Sequence, residues 1–137
     1  MKVSRAFRTA LGALALVGLA GCETMPIAEN AATLDVSFAW PKNAQCFGHS
    51  PQFQIGNIPK GTKYLEFNMR DLNATYRHGG GTVEYTGSST IPEGALKSYQ
   101  GPCPPSGAHT YEFTVKAVNA EKNLVLGQGV AKRKFPE

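Results

Sequence analysis

Gly101-Pro102-Cys103-Pro104-Pro105-Ser106-Gly107-Ala108-His109-Thr110-Tyr111 decides how this chain is read. Proline fixes φ and removes a backbone donor, so Pro102, Pro104 and Pro105 make a stiff, non-helical loop. From His109 the pattern changes. His109, Tyr111, Phe113, Val115 and Ala117 fall on one parity, and Thr110, Glu112, Thr114 and Lys116 on the other. That alternation predicts a half-buried strand. His109 and Tyr111 share its apolar parity. They are therefore expected at the strand's mouth, pointing inward beside a rigid loop, as a small polar pocket requires.

Outward from this strand the same pattern recurs. Leu34, Val36, Phe38 and Trp40 alternate with polar or small residues over 33–40, until Pro41-Lys42-Asn43 breaks the run. Leu65, Phe67 and Met69 alternate over 64–69. Residues 82–86 predict a short strand, and 119–123 a turn. Residues 124–135 predict a last strand, interrupted by Gly127 and Gly129 and accommodating a bulge. No helical period occurs after the N-terminal region. The turn spacing predicts an all-β, antiparallel sandwich in one domain over 33–137.

The first 21 residues stand apart. Lys2, Arg5 and Arg8 precede an apolar run, Ala10 to Leu19, which is too short for an ordinary membrane-spanning helix. Leu19-Ala20-Gly21-Cys22 follows and resembles a bacterial lipobox. The resemblance implies a signal peptide over 1–21, cleavage before Cys22 and a lipid on its thiol. Residues 22–32 then read as a tether without periodicity. Glu23 rather than Asp follows the cysteine, which implies the outer membrane, with the protein facing the periplasm. Three of the 14 basic residues lie in 1–21, leaving 11 basic against 10 acidic residues in the mature chain. That balance excludes nucleic-acid binding through a basic surface. Lys132-Arg133-Lys134 reads as a solvated edge.

With Cys22 lipidated, Cys46 and Cys103 remain. An even pair in an oxidising compartment favours a disulfide. A zinc site built from Cys46, His49, Cys103 and His109 has loose spacing. Two free buried thiols are the third reading.

The organising loop resembles the GPCPPxGxHRY signature of the phosphatidylethanolamine-binding protein family, in its bacterial Raf-kinase-inhibitor-like branch. Thr110 stands at the usual arginine. Cys46-Phe47-Gly48-His49-Ser50-Pro51 resembles the family's CxGxxxSP segment, one residue shorter. Pro59-Lys60-Gly61-Thr62-Lys63 matches its PxGTK turn, and Ile91-Pro92 resembles its IP motif. Where the family has DPDAP, this chain has Asp71-Leu72-Asn73-Ala74-Thr75, which keeps only the first acid. Where the family has a His-Trp pair, it has His78 and no tryptophan. The resemblance covers most of 34–135 as a trimmed core, with the C-terminal helices reduced or absent. It implies a small pocket for a phosphate- or carboxylate-bearing anion, formed by Asp71, His78, His109 and Tyr111 with Pro102 and Pro104. Imidazole and phenol donate to anions, and a buried aspartate holds an imidazole in one tautomer or favours its charged form.

His78-Gly79-Gly80-Gly81 resembles an esterase oxyanion-hole motif. There is no G-x-S-x-G elbow, however, and the chain is too short for that fold. No nucleophile–base pair is visible, so neither an enzyme nor a cofactor is expected. Two readings remain. One is a lipoprotein that binds a small anion, with no protein partner indicated. The other is a structural or interaction lipoprotein that keeps the fold without a working site. The changed DPDAP segment favours the second, and the intact loop the first. Cys22→Ser is expected to release the protein from membranes or block its processing, as read by membrane fractionation. An unchanged lipid-bearing membrane fraction would contradict the lipobox reading.

Overall fold

A computed structural model describes residues 24–137. The lipobox and signal segment lie outside the described residues. The strands are β1 (Ile27–Thr33), β2 (Asp35–Phe38), β3 (Phe53–Gly56), β4 (Tyr64–Asp71), β5 (Arg77–Glu84), β6 (Thr90–Ile91), β7 (Ser98–Tyr99), β8 (His109–Val118) and β9 (Val125–Phe135). They form a six-stranded sheet, β1-β9-β8-β4-β5-β7, and a three-stranded sheet, β2-β3-β6. Among the described residues there is no helix. The all-β sandwich expected from the alternation is the fold observed.

The inward residues of β8 are the predicted ones. Tyr111, Phe113, Val115 and Ala117 are buried, opposite Leu65, Phe67 and Met69 of β4. Phe38 and Phe53 of the small sheet close over them. The Phe53 ring lies 4.8 Å from both Phe67 and Phe113, and Phe38 lies 5.1 Å from Phe113. Edge-to-face and tilted pairs of this kind add to area burial. On β9, a bulge at Leu126 lies beside Gly127. Gly127 and Gly129 leave room for Leu34 and Val36 to lie across the strand.

The outer face of the large sheet carries charge. Arg70, Glu112 and Lys132 are cross-strand neighbours. Buried Glu112 receives Arg70 at 2.7 Å and Lys132 at 3.2 Å. Such cross-strand pairs fix register by favouring one alignment. The basic run 132–134 is therefore not simply solvated: Arg133 points inward and donates from Nη1 to the Phe38 carbonyl at 2.9 Å.

The N-terminal boundary differs from expectation. Much of the predicted tether, 22–32, is β1, pairing parallel with β9 at Ala32↔Gly127 and Thr33↔Gln128. An edge strand held by backbone bonds needs no hydrophobic alternation, so it left no periodic signal. Likewise β5 begins at Arg77, ahead of the expected 82, because its glycines pair by backbone with β4 and β7.

Phe113→Ala should lower stability by about 3–5 kcal/mol, and Thr114→Ala, on the outer face, by no more than about 0.5 kcal/mol. Denaturant midpoints with unchanged slopes would check both.

Candidate functional site

The site lies at the end of the sandwich where β8 begins. Register sets Asp71, the last residue of β4, opposite Tyr111. It also brings His109 beside Asp71: His109 Nδ1 lies 2.6 Å from Asp71 Oδ2. Both side chains are largely covered, at 17% and 5% exposure. Asp71 Oδ1 accepts the Asn73 N–H at 2.8 Å, an Asx turn that fixes the carboxylate. Asn73 in turn accepts the Thr110 N–H at 2.7 Å, and Leu72 N–H donates to the Thr110 carbonyl at 2.8 Å. The altered DPDAP segment thus pins itself to the start of β8 through an amide, where the family has an acid.

His78 reaches the same place by a bulge. Met69 pairs with Gly79 and Arg70 with Arg77, so His78 is an extra residue and turns inward. Gly79 has φ 69°, and a Cβ there would lie 2.1 Å from the Ser98 carbonyl oxygen, so only glycine fits. His78 is buried, with Nδ1 3.1 Å from the Gln100 carbonyl oxygen. Gln100 N–H donates back to the His78 carbonyl at 2.8 Å. Tyr76 caps the ring edge-on at 4.7 Å and bonds the Gln100 side chain through its hydroxyl.

The rigid loop forms the opposite wall. Cys46 and Cys103 are joined in a disulfide with Cα atoms 4.6 Å apart. The zinc and free-thiol readings of these cysteines are overturned. Among the described residues no cluster of three or more His, Cys, Asp or Glu could hold a metal. Cys46 N–H donates to the Pro102 carbonyl at 2.9 Å, and Gly101 N–H to the Cys46 carbonyl at 2.7 Å. A Cβ at Gly101 would sit 2.2 Å from the Ala44 oxygen, so this close approach requires glycine. On a chain-entropy estimate, closing a loop of this length contributes about 4 kcal/mol.

Between these walls lies a cavity of about 490 Å³. Asp71, His78 and His109 line it, with Phe47, Tyr76 and Pro105 toward its rim. Three expected site residues do not line it. Pro102 is buried on the inner side of the loop, Pro104 is half-covered, and Pro105 takes the lining position. Tyr111 lies behind the floor, packed against His78 at 5.2 Å and Trp40 at 5.8 Å. It points inward as its parity predicts, but only the first residue of β8, His109, reaches the mouth. The Tyr111 hydroxyl is buried without a partner. Burial, then the Asp71 charge, push its pKa up to about 12, so it remains protonated. Phe47, Tyr76 and Gln100 carried no sequence signal as lining residues. Gln100 acts through its backbone, and Phe47 through the turn beside the disulfide.

The chemistry follows from the two Nδ1 atoms. A backbone carbonyl and a carboxylate only accept, so Nδ1 of both His78 and His109 carries the proton. When neutral, each ring therefore keeps an acceptor at Nε2. When protonated, each gains an Nε2–H donor. Asp71 is the built-in counter-charge. Burial pushes its carboxyl up, but the hydrogen bonds from His109 and the Asn73 N–H, with the charges of His109 and His78, together outweigh it. The net pKa falls below 3.8.

A family model for phosphatidylethanolamine-binding proteins matches residues 79–137, from the His78 bulge to the C-terminus. Over that segment the chain is similar to the phosphatidylethanolamine-binding protein family. A UPF0098 protein of Methanothermobacter thermautotrophicus is 38% identical over 74 residues, 53% of this chain and 43% of that protein. The match thus spans less than half of that relative's length. Two solved structures share the fold. One is a phosphatidylethanolamine-binding protein homolog, CT736, of Chlamydia trachomatis, at 16% identity and TM-score 0.53, covering 80% of this chain and 99% of that one. The other is E. coli YbcL, described as a new member of the mammalian PEBP family, at 16% identity and TM-score 0.57, covering 76% and 98%.

Asp71 gives a pH prediction. Its pKa is depressed in the folded state, so its contribution is present above the unfolded value, near 3.8, and is lost as pH falls through the native value. Asp71→Asn should be less stable than wild type at pH 6, with the difference shrinking below pH 3.8 in urea melts. A constant difference down to the acid limit would contradict this.

Proposed function

We propose that the protein is a lipid-anchored binding protein of the cell envelope that takes a small phosphate- or carboxylate-bearing anion in the Asp71–His78–His109 cavity. It performs no covalent chemistry on that ligand. The observation that carries this reading is the His109–Asp71 pair, 2.6 Å apart in the cavity wall. Asp71 engages Nδ1 and balances the imidazolium, leaving Nε2–H to donate to an anion. A charge-assisted hydrogen bond of this type is worth about 1.5–3 kcal/mol. The family similarity over residues 79–137 and the intact GPCPPSGAH loop support the same reading.

One observation favours a second reading, an interaction protein. Phe47 is 94% exposed and Tyr76 52%, giving the cavity an apolar rim suited to another macromolecule.

A phosphate titration separates the two. Phosphate should shift the His109 ring signals in NMR spectra. His109→Ala should weaken binding by about 10- to 100-fold without unfolding the domain. His109 signals that ignore phosphate would leave only the interaction reading.

A further inference from the structure

We infer that the cavity opens away from the membrane that holds the anchor, so its ligand is a water-borne anion and not the headgroup of a lipid in that membrane; this rests on the anchored, anion-binding reading above. The argument is topological. β1 enters the large sheet at Ile27, beside Val125 of β9, which pairs with Val118 at the end of β8. The cavity lies at the other end of β8, where His109 pairs with Phe135 and meets Asp71. Ten residues of strand separate the two ends by about 30 Å.

The chain is already fixed before β1. Val125 N–H donates to the Pro26 carbonyl at 2.9 Å. Only residues 23–25 separate Cys22 from Pro26, a reach of about 14 Å at full extension. A free spacer over 22–32 would reach about 35 Å and would let the domain turn over onto the bilayer. Because the chain pairs with β9 at Ile27 and again at Ala32 and Thr33, that reach is lost. The anchored end stays near the lipid and the cavity mouth stands off it. The exposed Phe47 ring at the mouth then faces the aqueous compartment.

The test uses the full-length, processed protein in vesicles. Mass spectrometry first establishes lipid on Cys22; a chain without it overturns the anchor and this inference together. Ile27→Trp and Phe47→Trp then report the two ends, with Trp40, the chain's one tryptophan, as background. Phospholipids brominated in their chains should quench Ile27→Trp and leave Phe47→Trp at the wild-type background. Equal quenching of Phe47→Trp would overturn the orientation. Inorganic phosphate added to vesicles of zwitterionic lipid should shift the Phe47→Trp emission. Phosphatidic acid in the anchoring vesicles, without phosphate, should not. A shift from phosphatidic acid alone would overturn the inference. Silence toward both probes would remove the anion reading, and with it the ligand half of the inference, while the quenching result still decides the orientation.

Discussion

The structure depends on the register of β8 between β4 and β9. Side chains alternate with a period of two, so a slip of one residue would turn Tyr111, Phe113, Val115 and Ala117 out to solvent. The same slip would separate the site. His109 meets Asp71 only because Asp71 stands opposite Tyr111 on one side and Phe135 opposite His109 on the other. The aromatic core beneath and the Arg70–Glu112–Lys132 row above hold this alignment from both faces. Fold and site therefore share one constraint, and the cavity exists at the point where the apolar face of β8 ends.

Three devices complete the cavity from that point. The bulge at His78 turns a second imidazole inward. The Asx turn at Asp71 fixes a carboxylate that stays ionised well into acid. The disulfide and the paired Cys46, Gly101 and Pro102 backbones hold the far wall. Each Nδ1 is committed to an acceptor, so the charge of the cavity is set by the Nε2 atoms. Neutral, they offer lone pairs. Protonated, they offer donors.

Much of this was legible in the sequence wherever one face of an element is buried. Leu34, Val36 and Phe38, then Leu65, Phe67 and Met69, and the β8 set all point where their alternation says. The loop from Gly101 to Tyr111 supplies one wall of the cavity, through Gly101, Cys103, Pro105 and His109. Elements held by backbone bonds were not legible. β1 shows no alternation because it is an edge strand pairing parallel with β9. The inward turn of His78 depends on one extra residue relative to β4, which pairing reveals and composition does not. The family resemblance places Pro102, Pro104 and Tyr111 in the pocket, and strand parity also turns Tyr111 inward. Their side chains face the loop interior or the core, whereas Pro105, Phe47 and Tyr76 line the cavity. The lost second acid of the DPDAP pattern did not loosen the site, because Asn73 accepts from the backbone of Thr110.

The central claim is that Asp71 holds His109 with its proton on Nδ1, leaving Nε2 to meet the ligand. Long-range proton–nitrogen NMR of the His109 ring at a pH where it is neutral tests this directly. The account predicts a protonated Nδ1 and a bare Nε2 in the wild type, with that preference lost in Asp71→Asn. A neutral ring protonated on Nε2, or one whose tautomer ignores Asp71→Asn, would contradict it.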